Sequence, residues 1–178
     1  AASECTPFAK TGGLADVAAA LARSLWQRGH DVRLFVPYYR SIDASGLETE
    51  SGLEPFTLEF PGVNVALETR RAPLPASDND AGEPLMVEFV NAPDLFGRDS
   101  FYTDDEDEPV RWAAFSRAVI EACQRTAWSP DVIHINDWHT GLLPLYLRTR
   151  YAWDDLFRDT RTLLSIHNLG YQGYFSAD

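Results

Sequence analysis

The stretch Lys10–Pro37, KTGGLADVAAALARSLWQRGHDVRLFVP, decides the fold class, because it joins an amphipathic helix to a buried strand through one glycine. Leu14, Val17, Leu21 and Leu25 recur at helical spacing and predict a helix over Leu14–Arg28, with Gly29 as its stop. DVRLFVPYY then reads as a strand over Asp31–Val36, ended by Pro37. Lys10 is the one lysine of the 178-residue chain, against fourteen arginines. It stands beside Gly12-Gly13 at the helix start, where backbone N–H groups and the helix dipole suit a phosphate or phosphosugar. A tight turn with a solvated lysine accounts for the same residues without a ligand.

Outward from this unit, FTLEF-PG-VNVALETRRAPL reads as a β-hairpin turning at Pro61-Gly62. Ser77–Glu83 reads as a polar loop and PLMVEFVNAP as a further strand. The acidic run Asp104–Glu108 reads as a solvated loop before a helix over Val110–Trp128, with Pro109 at the first helical position. A calcium loop there would lack the EF-hand spacing. The last third repeats strand, loop and helix: DVIHI, NDWHTG, a helix over Leu142–Tyr151, then the strand RTLLSIH and the loop NLGYQGYF. This alternation predicts an α/β domain with a largely parallel sheet and the hairpin as an insertion. Ligands of such sheets bind outside the strands' carboxyl ends, which here carry KTGG, NDWHTG and HNLGYQG.

Composition narrows the function. With 45% hydrophobic residues the chain supports one sizeable core, and no apolar run approaches the roughly 18 residues of a membrane span. A net charge of -12 argues against nucleic acid, whose binding needs lysine and arginine on phosphates. Cys5 and Cys123 lie far apart and read as small buried hydrophobes rather than a disulfide framework or zinc ribbon. Ala1–Ala9 has no basic and apolar leader pattern, and both chain ends read as cuts in a longer protein. The lysine precedes the glycines, so KTGG is not a P-loop; no G-x-G-x-x-G occurs, and VPYYR supplies no acid for an NAD ribose.

His134, Asp137 and His139, spaced H-x-x-D-x-H, allow a metal site, but His134 lies between Ile133 and Ile135 and reads as a core histidine. Asp137 and His139 fall at a strand end, where either could orient a substrate hydroxyl; alternatively they cap the next helix, for which Thr140 is also a candidate. His167 and Asn168 end the following strand, with Gly170 and Gly173 permitting sharp turns around Tyr171 and Tyr174. Aromatic and amide groups suit sugars, so the three loops together favour a polar phosphorylated ligand.

Four segments carry a resemblance: SECTPFAKTGGLADV, LFGRDSFYTDDEDEPVRWAAFSRA, DVIHINDWHTGLLPLYL and SIHNLGYQGYF. In this order they resemble the N-terminal domain of bacterial glycogen synthases and plant starch synthases, glycosyltransferase family 5, from Ala2 to Phe175. The resemblance implies the Rossmann-like N-terminal half of a two-domain GT-B glycosyltransferase. It also implies an enzyme that transfers glucose from ADP-glucose, or UDP-glucose in some members, to the non-reducing end of an α-1,4-glucan; the mean hydropathy of -0.25 makes a cytoplasmic protein the expectation. The resemblance implies retention of the anomeric configuration, and neither a cofactor nor a metal is expected. By the same resemblance Lys10, Gly12 and Gly13 meet the nucleotide-sugar phosphates and glucose, and Asp16 and Tyr102 line the same cleft. Asp137 hydrogen-bonds the transferred sugar or acceptor, and His167 sits against glucose near the reacting carbon, partly through its backbone carbonyl; His139 and Asn168 are expected, from their places at strand ends, to join in substrate binding. The family's first strand would precede Ala2, and its whole C-terminal domain lies outside this sequence, so residues 1–178 alone are expected to be inactive. Two alternatives are a related GT-B enzyme with another acceptor and a non-catalytic glucan-binding domain.

Overall fold

The computed structural model describes residues 1–77, 80 and 82–175. The chain forms two compact units, one of Ala2–Phe101 and one of Ala1 with Tyr102–Asp178.

The first unit runs α1 (Gly13–Gln27), β1 (Leu34–Pro37), α2 (Arg40–Ala44), β2 (Glu50–Ser51), β3 (Phe56–Phe60), β4 (Val63–Pro73), β5 (Met86–Asn91) and α3 (Pro93–Phe96). Its sheet has the order β1-β5-β4-β2, with β3 also on β4. β1 and β5 are parallel, and β4 runs antiparallel to β2, β3 and β5. The sheet is therefore mixed rather than largely parallel, and the hairpin is built into it. The first half of β4 pairs with β3, from Phe60↔Val63 to Phe56↔Leu67, and its second half pairs with β5, from Glu68↔Asn91 to Pro73↔Met86. An eleven-residue strand is long enough to serve both partners.

α1 begins one residue before the expected Leu14 and presents a different face. Its buried side is Leu14, Ala15, Ala18, Ala19 and Ala22, while Val17, Leu21 and Leu25 are 43%, 37% and 36% exposed. A helix apolar on two sides gives periodicity alone no way to choose, and alanines allow closer packing. Gly29, at φ 88°, donates to the Trp26 carbonyl at 2.9 Å, as expected of a helix stop. β1 starts at Leu34 rather than Asp31, because pairing with β5 begins at Leu34↔Val87. Part of the Ser77–Glu83 loop lies outside the described residues. Within it, Asp80 accepts from the Ser77 amide and from Gln27.

The second unit runs α4 (Glu108–Arg125), β6 (Val132–Asn136), a 3-10 turn (Trp138–Thr140), α5 (Leu143–Arg148), a second 3-10 turn (Asp155–Phe157) and β7 (Arg161–Ser165). β6 and β7 pair in parallel from Val132↔Arg161 to Asn136↔Ser165, with α5 in the crossover, which is a β-α-β unit. α4 ends at Arg125 rather than Trp128, where Ala127 takes a positive φ of 50°. α5 is shorter than Leu142–Tyr151, since it ends before Thr149, at φ -119° and ψ -77°.

The acidic run before α4 is not all solvated. Glu108 is buried, and its carboxylate accepts from Arg111, from Thr103 Oγ1 at 2.7 Å and from Trp112 Nε1 at 2.9 Å. Arg111 is fully buried beside it. Cys5 and Cys123 are buried thiols, as expected, and burial pushes the Cys5 thiol up to about 12. No described helix is long and apolar enough to cross a membrane.

Candidate functional site

In the first unit the residues expected from the sequence gather at the start of α1. Lys10 Nζ lies 2.8 and 2.7 Å from the two Asp16 oxygens, and Thr6 Oγ1 donates to Asp16 Oδ1 at 2.8 Å. These hydrogen bonds, the lysine's foremost, hold the Asp16 carboxyl below the usual carboxylate range. Both partners of the ion pair are about half exposed, so it adds little stability.

Glu4 is the residue of this loop that sequence reasoning missed. Its buried carboxylate accepts from the Thr11 amide, from Thr11 Oγ1 at 2.6 Å and from the Gly12 amide at 3.3 Å. The outermost amides of the glycine turn are thus already met by an internal anion. An external anion is left with Lys10 and the first-turn N–H groups beyond Gly12, which have no partner inside a helix. Glu4 stands within the quoted SECTPFAKTGG motif, but its separation of eight residues from Gly12 matches no local capping pattern.

Gly12 and Gly13 themselves need explaining. Gly12 is extended, at φ -147°, and Gly13 opens the helix without a positive φ. Among the described residues a Cβ at either would meet nothing within 4 Å. Neither backbone conformation nor internal packing requires glycine at these two positions.

In the second unit the loop after β6 is strained. Asp137 takes φ 57° and ψ -177°, a region almost reserved for glycine, at a cost of about 1–3 kcal/mol. Its amide donates to the Ser165 carbonyl at 2.9 Å, and its Oδ1 accepts the His167 amide at 2.7 Å. The aspartate therefore does not cap the next turn with its side chain; it braces the loop carrying His167. Thr140 takes the local role instead, its Oγ1 accepting from Asn136 N at 2.9 Å and donating to Asn136 O at 3.1 Å.

Asn136 is the second missed residue. Its Oδ1 lies 2.9 Å from His167 Nε2, and its Nδ2 donates to the Ala1 carbonyl at 3.0 Å. The only sequence signal was its place just before Asp137 at a strand end.

His139 lies in an aromatic stack. Its ring centroid is 4.0 Å from Trp138, 4.5 Å from Trp112 and 4.8 Å from Tyr102. Burial, with the Arg111 charge second, pushes its pKa down to about 3, so it is neutral near pH 7. Gly173, at φ 64°, lies against Trp138, where any Cβ would come within 2.3 Å of the indole. Here glycine is required twice over, for conformation and for approach. Gly170 shows no such conformation; its amide donates to Asn168 Oδ1 at 2.9 Å.

His134 is half-buried, with Nε2 2.8 Å from Ser165 Oγ and a pKa lowered chiefly by burial. Among the described residues no three His, Cys, Asp or Glu side chains are placed to hold a metal ion. Within each unit the structure thus brings Lys10 to Asp16, Tyr102 to His139 and Asp137 to His167.

The fold is α/β and Rossmann-like, one half of a GT-B architecture. It superposes on the catalytic domain of Starch Synthase IV from Arabidopsis thaliana, bound to ADP and acarbose, with a TM-score of 0.74 and 29% identity. That match covers 96% of this chain and 34% of the other. Residues 1–178 match the family model described as the starch synthase catalytic domain, and the chain belongs to that family. It is 40% identical over 182 residues to a glycogen synthase of Syntrophotalea carbinolica, covering 100% of this chain and 36% of the relative. Glycogen synthase 2 of Geobacter sulfurreducens is 41% identical over 180 residues, with 99% and 36% covered. The chain thus spans about a third of the length of the curated relatives it matches.

Proposed function

We propose that the chain is the N-terminal part of a cytoplasmic glucan synthase. The enzyme transfers glucose from ADP-glucose to the non-reducing end of an α-1,4-glucan, with retention at the anomeric carbon. The observation that carries this reading is Gly12-Gly13, two glycines with no internal reason to be glycine beside the chain's one lysine. A missing Cβ that none of the described residues exploits serves a group approaching from outside, and a helix N-terminus with a lysine suits a diphosphate. The ADP and acarbose of the Arabidopsis protein and the glycogen synthase relatives support the donor and the glucan.

In this reading Lys10 and the first-turn amides beyond Gly12 meet the donor phosphates, Gly12 and Gly13 leave room for them, and Asp16 orients Lys10. Charge grows on the leaving diphosphate as the glycosidic bond breaks, so preformed donors there lower the barrier. Tyr102 and the neutral His139 form an aromatic wall for a sugar face, and Asn168 lies on the adjoining loop. His167 contacts glucose, and Asp137 holds the His167 backbone while offering a carboxylate oxygen to a sugar hydroxyl. The remaining donors for the diphosphate belong to the C-terminal domain of the longer protein, so residues 1–178 alone transfer no glucose.

The test is glucose transfer from ADP-glucose to glycogen by the full-length protein. Gly13→Ala should preserve or raise the melting temperature, since alanine in a helix is favoured by roughly 0.5–1 kcal/mol. Its kcat/KM should fall at least about tenfold, because the new methyl meets the ligand. Normal kcat/KM in that variant would remove the main support for the reading. Lys10→Ala should likewise lose about ten- to a hundredfold in kcat/KM, the scale of one charged hydrogen bond. Its melting temperature should hardly move. A large thermal shift with normal turnover would make Lys10 structural instead.

A further inference from the structure

We infer that Asn136 is a positioning residue for His167: it keeps the imidazole proton on Nε2 and so presents Nδ1 as an acceptor for a sugar hydroxyl. The inference rests on the proposed contact of His167 with glucose. It begins from the two ends of one buried amide. Asn136 is 4% exposed, so neither end is compensated by bulk water. One end faces the Ala1 carbonyl at 3.0 Å, the other His167 Nε2 at 2.9 Å.

The two ends of an asparagine amide have nearly the same shape, and only their partners decide which is which. A backbone carbonyl accepts and never donates, so the end facing Ala1 must be the NH2 group. The reversed amide would set two oxygens against each other and cost a buried, unsatisfied pair. The carbonyl oxygen therefore faces His167, and because it only accepts, Nε2 must carry the hydrogen. In the neutral ring Nδ1 then holds a lone pair and no proton.

The rest of the loop removes the freedom that would undo this. The Asn136 backbone is clamped on both sides by Thr140 Oγ1, at 2.9 and 3.1 Å. The next residue, Asp137, holds the His167 amide at 2.7 Å. Ring and backbone of His167 are thus tied to two consecutive residues, and the strain at Asp137 is sustained by that second tie. An acceptor at Nδ1 takes a hydrogen bond from a hydroxyl without moving a proton. His167 in this geometry orients the sugar rather than acting as an acid.

Two measurements on the full-length protein test the assignment. In protein labelled with 15N-histidine, with the His167 signals identified by their loss in His167→Gln, the ligand-free protein at neutral pH should show one tautomer. Its hydrogen should be on Nε2. A hydrogen on Nδ1, or signals averaged between tautomers, overturns the proposal. The second measurement is a double-mutant cycle. Asn136→Ala should lower kcat about tenfold, the scale of one hydrogen bond, with KM for ADP-glucose changed less than about twofold. In a His167→Ala background the same change should alter kcat by less than about twofold, because its target is gone. An equal loss in both backgrounds would mark Asn136 as structural and end the proposal. The tautomer is read without turnover, so an inactive protein with hydrogen on Nε2 sinks the glucan synthase reading, and with it the sugar contact, while the hold of Asn136 on the ring stands. An active one with hydrogen on Nδ1 sinks only this inference.

Discussion

Glu108→Ala and Arg111→Ala, each made alone, should destabilise the protein by about 3–5 kcal/mol, because each takes from a buried charge the opposite charge beside it. The Arg111 side chain is 0% and the Glu108 side chain 5% exposed, and Glu108 also accepts from Thr103 and Trp112. The double variant Glu108→Gln/Arg111→Met keeps an acceptor for the Trp112 indole and removes both charges. It should therefore recover most of the loss and fall within about 1–2 kcal/mol of the parent. Urea unfolding of the three variants measures this. Single-variant losses below about 1 kcal/mol would mean that water reaches the pair.

Acid should destabilise the protein through His139. Its folded pKa is about 3 against an ordinary 6.5, with burial as the first cause and the Arg111 charge as the second. Above pH 6.5 the imidazole is neutral folded or unfolded, and its contribution to stability is fully present. As pH falls, the unfolded chain takes up a proton that the folded stack refuses, so stability is lost from about pH 6.5 toward pH 3. The full loss is on the order of 3–5 kcal/mol. His139→Phe keeps a ring among Trp138, Trp112 and Tyr102 but cannot titrate. Its stability should fall distinctly less between pH 7 and pH 4 than that of the parent, measured by urea unfolding at each pH. Parallel curves for the two proteins would show that His139 already binds its proton in the fold.

These two cases also mark where sequence reasoning stopped. Asp104–Glu108 looked like five solvated acids, yet Glu108 is the buried hub of α4's first turn. The difference lies in Thr103, Arg111 and Trp112, whose side chains converge on one carboxylate only after the chain has bent into the helix. His139 likewise read as a strand-end group facing substrate. Its neutrality comes from rings supplied by residues 102, 112 and 138, which no local window joins.

What the sequence determined by itself was whatever depends on a few neighbouring residues. Helical spacing after Gly12-Gly13, the stop at Gly29, the two-residue hairpin turn at Pro61-Gly62 and the strand–loop–helix order of Val132–Arg148 are all local, and all appear in the fold. The tertiary structure alone decided the choices that local pattern leaves equivalent. It buried the alanine face of α1 rather than Val17, Leu21 and Leu25, and let β4 serve both the hairpin and β5, making the sheet mixed. It also seated Glu4 on the glycine turn and turned Asp137 from a cap into a brace for a residue 30 positions away. Asn136 reaches a carbonyl 135 positions away. Such bonds form because a buried polar group must find a partner wherever the fold has brought one, and that demand is written in three dimensions rather than in neighbouring residues.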